Sequence, residues 1–306
     1  MITENLNSGS NPSNPQNDGM DKHVIINGLS VSYHDIGRED APAIVLIHGF
    51  PLNKSMWAPQ LDLLKDNFRV IAYDVRGHGN SETGSQDFSI DLFVNDLLCL
   101  IETLGLQRVI LFGFSMGGYI ALNAIENFPD RFDGLILSDT QCTADAPDAR
   151  AKRIAAMDRI LEDGVAEYAE EILPKLFAPA SFVRHREEVT LVREMILNTS
   201  TESLCNTLFA MSARKETRSE LMEIGTPTLI LVGKEDEITP IASAQLIHGR
   251  IRGSTLAIIP HAGHLANMEN PVVFNRHLKE FLVPFTQVHV KVDVARSNDS
   301  ERRGFF

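Results

Sequence analysis

Residues 111–122 read LFGFSMGGYIAL, which places one serine among three glycines at the end of an apolar run. The run before Ser115, RVILF, is short and rich in branched apolar residues, as in a buried strand, and YIALNAI after it has a helical pattern. A sharp turn between strand and helix leaves no room for side chains at Gly113 and Gly117. A G-x-S-x-G sequence in this context is typical of a nucleophile elbow, which exposes the serine hydroxyl above the sheet.

Five other apolar runs resemble the one before the serine. With little strict alternation, they suit strands that are buried on both faces of a parallel sheet. Helical patterns such as SMWAPQLDLLKD (55–66) separate them, and Asn27-Gly28 between two alternating segments predicts a hairpin. The fold class predicted is α/β, a doubly wound and mostly parallel sheet with ligands at the carboxyl ends of its strands. The five runs are AIVLIHG (43–49), FRVIAYD (68–74), LILSD (135–139), TLILVG (228–233) and TLAIIP (255–260).

One long segment interrupts the alternation of strands and helices. Residues 142–224 contain only helical patterns and follow the sixth predicted strand. We interpret them as a helical cap inserted over the strand ends, with residues 23–141 and 225–285 forming the core. Residues 1–22 are rich in Asn, Ser, Pro and Gly, lack the apolar stretch of a secretion signal, and are predicted to be a disordered tail.

Composition restricts the partners of this chain. Its 306 residues carry a net charge of −13, which argues against nucleic acid as a main partner because phosphate binding needs a basic surface. No apolar run approaches the roughly 20 residues of a membrane span. The three cysteines form no disulfide framework and suit a reducing compartment, so a cytoplasmic location is expected.

A serine is a weak nucleophile until a base takes its proton, and the base needs an acid to orient it. Two later loops follow strand-like runs, KEDEITP (234–240) and HAGHLANMENP (261–271). In the first loop Asp236 is preferred over Glu235 and Glu237, because the following Thr239-Pro240 starts a helix. In the second, His264 is preferred over His261 because Gly263 allows a close approach. Asp139, after LILSD, stays a rival for the acid.

An oxyanion formed at the serine would need two hydrogen-bond donors. The Met116 amide, directly after the serine, is the first candidate. The Phe50 amide in HGFP (48–51) is the second, because Pro51 has no N–H and stiffens the loop. His48 is interpreted as a brace for this loop.

With HGFP, DVRGHGNS (74–81), GFSMGG (113–118), KEDEITP and GHLANMENP (263–271) in this order, the chain resembles an α/β-hydrolase fold serine hydrolase. The resemblance covers about residues 23–284, and it is nearest to oxoadipate enol-lactonases and small carboxylesterases. It implies that DVRGHG (74–79) is a structural turn. Haloalkane dehalogenases and epoxide hydrolases of this fold have an aspartate at the elbow, whereas this chain has Ser115.

The resemblance implies hydrolysis of small carboxylic esters or lactones through an acyl-enzyme on Ser115, with His264 as base and Asp236 as acid. No metal cluster of His, Cys and Asp is evident in the sequence and no G-x-G-x-x-G follows a strand, so no cofactor and no metal are expected. A ligand-binding receptor on the same scaffold, or a cofactor-free perhydrolase, remains an alternative. A lactonase would want a cap arginine for a substrate carboxylate, from among Arg150, Arg153, Arg184 and Arg186. The apolar residues predicted to contact substrate are Phe50, Trp57, Phe177, Phe182, Leu208, Phe209 and Met211.

The segment after the predicted core has a pattern of its own. In residues 286–295 valines alternate with polar residues, and this period of two is typical of a half-buried strand. Such a strand could pair with an edge of its own sheet or with a second copy, which would make a homodimer. The charged residues 297–303 instead suggest a tail.

Overall fold

The computed structural model describes residues 21–302 of the chain, with side chains as far as residue 286. Within that range eight strands form one sheet. Their bounds are β1 Lys22–Ile26, β2 Leu29–Ile36, β3 Ala43–Ile47, β4 Arg69–Tyr73, β5 Val109–Phe114, β6 Phe132–Ser138, β7 Thr228–Gly233 and β8 Thr255–Ile259.

Helices follow most of the strands. Their bounds are α1 Ala58–Leu64, α2 Ile90–Thr103, α3 Met116–Asn127, α4 Pro147–Asp163, α5 Val165–Leu176, α6 Ser181–Arg184, α7 Arg186–Leu197, α8 Thr201–Ser212, α9 Ile241–His248, α10 Ala266–Glu269 and α11 Pro271–Arg302. Short 3-10 turns lie at Lys54–Trp57, Pro129–Arg131 and Glu220–Glu223. No helix among the described residues is both long enough and apolar enough to span a bilayer.

The sheet confirms the predicted fold class. Its strand order is β1-β2-β4-β3-β5-β6-β7-β8. The pairs β1·β2 and β2·β4 are antiparallel, and all the following pairs in this order are parallel. Helices cover both faces: the Phe112 ring packs on Trp57 and on Phe274 of α11, while the next residue, Gly113, faces α3. Successive residues of a strand point to opposite faces, so the sheet is doubly wound.

The hairpin predicted from Asn27-Gly28 is present at the first edge of the sheet. Ile26 pairs with Leu29 across a two-residue turn, and both turn residues have positive φ, 49° at Asn27 and 79° at Gly28. A type I′ turn requires this conformation, which Asn and Gly adopt at least cost. The hairpin therefore starts the sheet at Lys22, one residue before the predicted core boundary.

Five helices, α4 to α8, lie between β6 and β7 and form the cap. They pack on one another, α4 against α8 and α5 against α7. The cap follows the sixth strand, as the alternation of the sequence predicted. The chain leaves the core at the carboxyl end of β6 and, because β7 is the parallel neighbour of β6, returns to the amino end of β7 after the cap.

The turn after β4 is held by buried charges. The Asp74 carboxylate accepts hydrogen bonds from Lys54 N, from Lys54 Nζ at 2.8 Å and from Asn80 N at 2.9 Å. The guanidinium of Arg76 donates two hydrogen bonds to Asp96. These contacts stabilise the backbone below the site and support the structural interpretation of this turn.

The predicted strand at residues 286–295 is wrong, because helix α11 continues through this segment to Arg302. A helix already begun at Pro271 gains one backbone hydrogen bond for each added residue, whereas a new strand needs a free sheet edge beside it. The route to a dimer by adding this strand fails with it. The predicted disordered tail, residues 1–22, lies outside the described residues except for positions 21 and 22.

Candidate active site

Ser115 stands on a sharp turn between β5 and α3. Its φ is 50°, in the left-handed region that non-glycine residues seldom adopt. The flanking glycines are required by space: a Cβ at Gly113 would collide with Gly117 O, and one at Gly117 with Ile47 O. The glycines therefore allow the strand, the helix and the neighbouring loop to meet beneath the hydroxyl.

His264 and Asp236 complete a chain of hydrogen bonds with Ser115. His264 Nε2 lies 2.8 Å from Ser115 Oγ, and His264 Nδ1 lies 2.9 Å from Asp236 Oδ2. All three side chains are buried, His264 to 1% exposure. Excluding water strengthens both hydrogen bonds, since no solvent competes for them. This arrangement can move a proton from the serine to the imidazole and stabilise the imidazolium.

The other candidates for acid and base lie apart from this chain of bonds. Glu235, Glu237 and His261 are exposed in the same two loops. Asp139 is different, because it is buried to 1% exposure and lies beside Asp236 and His264, with one side-chain atom of each within 4.8 Å of the others. Its recorded hydrogen bonds join it to Ser138 and Gly233 rather than to His264.

The pKa values of the two neighbouring carboxyl groups, Asp236 and Asp139, are shifted in opposite directions. Burial opposes ionisation of Asp236, but the charge of His264 and hydrogen bonds from His264 and Thr239 hold the pKa of Asp236 below its ordinary value. For Asp139, burial raises the pKa well above its ordinary value, and the negative charge of Asp236 raises it further. The negative charge therefore stays on Asp236, the carboxylate that contacts the imidazole.

The loop at residues 48–51 packs directly on the elbow. A Cβ at Gly49 would lie 2.6 Å from the Phe114 ring and 3.0 Å from Ser115 Cβ. Among the described residues, no recorded hydrogen bond is donated by the amides of Phe50 or Met116. Met116 is the first residue of α3, where helix geometry leaves the N–H free. Neither amide is therefore committed to another group among the described residues.

His48 braces this loop. Its Nδ1–H donates to Gly49 O at 2.8 Å, and its Nε2 accepts from Val75 N at 2.9 Å. Burial lowers the pKa of His48 to about 4, and protonating Nε2 would break the bond from Val75. The imidazole is therefore a neutral link between the loop and the turn after β4.

A cavity of about 540 Å³ opens over Ser115 and His264. Core loops contribute Phe50, Pro51 and Ile238, and α3 contributes Tyr119. The cap forms the remaining wall with residues of α4, α5 and α8. These cap residues are Ala149, Lys152, Arg153, Ala155, Ala156, Arg159, Tyr168, Glu171, Ile172, Lys175, Leu176, Leu208 and Met211.

Of the predicted substrate contacts, Phe50, Leu208 and Met211 line this cavity, and the other four aromatic residues do not. Trp57 is fully buried against Phe112 and Phe114 in the core. Phe209 is 55% exposed, because neighbouring residues of a helix point about 100° apart and Leu208 takes the inward position.

Phe177 and Phe182 pack against each other in the cap instead of facing the serine. Phe177 is buried, Phe182 is 38% exposed, and their ring centroids lie 6.2 Å apart. Tyr119 and Tyr168, which the sequence analysis missed, are the aromatic residues that join Phe50 in the cavity wall. Tyr119 could have been found, because it lies on the first turn of the helix that starts at the elbow.

Arg153 is the one cap arginine of the four considered that lines the cavity; Arg150, Arg184 and Arg186 are exposed elsewhere. Arg153 Nε donates to Asp145 Oδ2 at 2.5 Å, and Arg214 contacts the other oxygen of Asp145 at 2.7 Å. One carboxylate is thus shared by two guanidinium groups, which leaves positive charge beside the cavity. Four of the cavity's lining residues are basic and only Glu171 is acidic, although the whole chain is acidic.

The cap is tied to the histidine loop by one buried carboxylate. Glu269 Oε2 accepts from Ala178 N at 2.7 Å and from Ser181 Oγ at 2.6 Å, both in the cap. Glu269 Oε1 accepts from Gly263 N at 2.8 Å, next to His264. The cap and the loop that carries the imidazole therefore hold each other in position.

The side chains that could bind a metal ion at this site already make hydrogen bonds to one another. Asp139, Asp236 and His264 bring possible ligand atoms together, but both nitrogens of His264 already make hydrogen bonds to Ser115 and Asp236. Asp236 in turn accepts from the backbone of Ile238 and Thr239. A metal would have to displace these bonds, so the donor set suits proton transfer better.

Comparison with known proteins gives one consistent group. The sequence pattern of the family described as alpha/beta hydrolase fold matches residues 42–271. The chain is 29% identical over 260 residues to 3-oxoadipate enol-lactonase 2 of Acinetobacter baylyi, covering 84% of this chain and 94% of that protein.

Two solved structures superpose closely on this one. A thermophilic esterase from Thermogutta terrifontis, solved with malate bound, has a TM-score of 0.82 and 32% identity, covering 87% of this chain and 99% of its own. The enol-lactonase from Burkholderia xenovorans LB400 has a TM-score of 0.80 and 28% identity, covering 86% of this chain and 100% of its own. The similarity therefore spans the core and the cap together.

Proposed function

The chain belongs to the α/β-hydrolase fold family, and from that premise we propose that it is a serine hydrolase that cleaves small carboxylic esters or lactones through an acyl-enzyme. One observation carries the proposal. Ser115 Oγ, the His264 imidazole and the Asp236 carboxylate are joined by hydrogen bonds of 2.8 and 2.9 Å at the floor of a cavity. This is the geometry that nucleophilic attack by a serine requires.

In the first half of the reaction, Ser115 Oγ bonds to the acyl carbon while its proton passes to His264 Nε2. The charge that develops on the substrate oxygen is stabilised by the amides of Phe50 and Met116. The ester C–O bond then breaks, and His264 gives the proton to the leaving oxygen. Asp236 stabilises the imidazolium throughout without accepting its proton.

In the second half, water replaces the leaving alcohol. His264 takes a proton from the water, the hydroxide attacks the acyl carbon, and the proton returns to Ser115 Oγ as the acid departs. In a lactone the leaving alcohol stays attached to the acyl chain, so the cavity must hold the opened product. A volume of about 540 Å³ is in the range of sites for small ligands.

The charge of the cavity wall favours substrates with a carboxylate remote from the scissile bond. Arg153 shares Asp145 with Arg214, so its charge is only partly neutralised where it borders the cavity. The names of similar proteins agree with this preference, since an enol-lactone of 3-oxoadipate retains one free carboxylate. We include an anionic acyl group in the proposal for this reason.

A panel of esters tests the proposal directly. We expect many turnovers per molecule on short-chain esters, and covalent labelling by a fluorophosphonate probe with the added mass on Ser115. The Ser115→Ala variant should lose both. A receptor built on the same scaffold would instead release at most one equivalent of product, and labelling of another serine would contradict the assignment.

A further inference from the structure

A second buried carboxyl group accompanies the acid of the proposed relay. Strands β6 and β7 are parallel neighbours, with Ser138 paired to Leu231, so the residues that follow them meet at one edge of the sheet. Asp139 directly follows β6, and Asp236 lies three residues after β7. Side-chain atoms of both lie within 4.8 Å of each other and of His264.

The two carboxyl groups differ in the number of donors around them. Asp236 accepts from Ile238 N, Thr239 N, Thr239 Oγ1 and His264 Nδ1, at 2.7 to 3.0 Å. Asp139 accepts from Gly233 N at 2.7 Å and Ser138 Oγ at 2.6 Å. Four donors stabilise an ionised carboxylate better than two, so the negative charge belongs to Asp236 while both residues are present.

A purely structural role does not require a carboxyl group at position 139. Its φ of 48° is a conformation that Asn adopts as readily as Asp. An Asn side chain would offer its oxygen to Gly233 N and its NH2 group to Ser138 Oγ, a hydroxyl that can also accept, and it has no charge to bury. An acid in this place is useful where a negative charge beside His264 is needed.

We propose that Asp139 is a reserve positioning residue for His264, a second carboxyl that takes the negative charge opposite the imidazolium when Asp236 cannot carry it. The inference rests on the proposed function, because it concerns the same imidazole. With Asp236 ionised, Asp139 keeps its proton. When Asp236 is replaced by a neutral residue, Asp139 ionises, gives its proton to the solvent and stabilises the imidazolium from the neighbouring strand end.

Four proteins test this: wild type, Asp139→Asn, Asp236→Asn and the double variant, compared by kcat/KM on one neutral ester. Loss of the acid costs about 10⁴ in a well-studied serine protease. We expect Asp139→Asn to stay within about 3-fold of wild type, Asp236→Asn to lose about 10²-fold, and the double variant about 10⁴-fold. A double variant within about 3-fold of Asp236→Asn would overturn the inference.

The pH profile separates this role from a structural one. In Asp236→Asn, burial and the neighbouring Glu269 still oppose ionisation of Asp139, so its carboxyl should ionise only as the pH rises, and the ratio of kcat/KM between Asp236→Asn and the double variant should increase with pH. Should Asp139→Asn fail to fold, Asp139→Gly suits the positive φ and replaces it in the same comparison. Glu235→Gln, an exposed acid of the same loop, is the control.

The proposed serine mechanism is tested separately from the role of Asp139. Turnover by Ser115→Ala would contradict the serine mechanism itself. If Ser115→Ala is inactive and the double variant matches Asp236→Asn, only the role of Asp139 is wrong.

Discussion

The carboxyl ends of the strands, which carry Ser115, Asp236 and His264 and are called the sheet edge below, and the helical cap both border the cavity. The two regions are built differently. At the sheet edge the residues are buried and the backbones touch, so that Gly113 and Gly117 have no space for a Cβ. On the outer face of the cap, helices are joined by exposed ion pairs such as Arg193–Glu170. Pairs of that kind contribute about 0–1 kcal/mol each. The edge therefore holds Ser115, Asp236 and His264 rigidly, while the outer face of the cap depends on much weaker contacts.

The largest expected effect tests the edge. Ser115→Ala should lower kcat by about 10⁵- to 10⁶-fold, because a serine, its base and its acid act as one unit. The melting temperature should stay near that of wild type, since the change removes one hydroxyl and leaves the turn intact. Activity within about 10²-fold of wild type would mean that another group attacks the substrate.

A pair of glycine variants compares the stability of the close-packed sheet edge with that of an exposed connection next to the cap. Gly117→Ala should destabilise the fold by about 3 kcal/mol or more, because the new Cβ meets the backbone oxygen of Ile47 and neither strand nor helix can move. Gly225→Ala, between the cap and β7, meets nothing within 4 Å and should change stability by less than about 1 kcal/mol. Urea unfolding measures both, and equal losses would remove the distinction.

The buried histidines beneath the sheet edge should make the stability of the fold depend on pH. Burial lowers the pKa of His48 to about 4; burial and the charge of His48 lower that of His78 to about 3. The unfolded chain therefore binds more protons below about pH 6.5, and stability should fall from there towards pH 4, by roughly 1.4 kcal/mol per pH unit for each histidine. His78→Asn should flatten this decline in the urea midpoint, whereas the exposed His248→Gln should not.

The smallest expected effect belongs to the cap. Arg153→Met should lower kcat/KM for a monoester of a dicarboxylic acid by about 10- to 100-fold, the value of a hydrogen bond to a charged group. The matched uncharged ester should change by less than about 3-fold. Arg150→Met, on the exposed side of the same helix, is the control. Equal losses on both esters would assign Arg153 a structural role.

The sequence predicted the sheet edge better than the cap, for a physical reason. Parallel strands place their carboxyl ends side by side whatever lies around them. The strand-like runs before Ser115, Asp236 and His264 therefore already predicted that these three residues lie close together. Even there, the choice between Asp236 and Asp139 needed the hydrogen bonds, because adjacent strands offer both acids to the same imidazole.

In the cap, the direction of a side chain depends on how each helix is rotated against its neighbours. An apolar pattern did not distinguish Leu208 in the cavity from Phe209 on the surface. The strand predicted from the alternating valines after residue 286 was wrong for a similar reason. Their pattern does not show that a helix begun at Pro271 continues through the segment. The period of apolar residues in a sequence is enough to predict a strand or helix only where the surface that packs against it is known.

The carboxylate of Glu269 also limits how this protein can be re-engineered. It joins Ala178 and Ser181 of the cap to Gly263 beside the imidazole, so the cap is not a free module. A cap grafted from another protein would have to supply a backbone N–H and a hydroxyl at the same two places. Without them, the Glu269 carboxyl would lose two of the hydrogen bonds that oppose the effect of burial on its pKa, and the loop that carries His264 would lose its attachment to the cap.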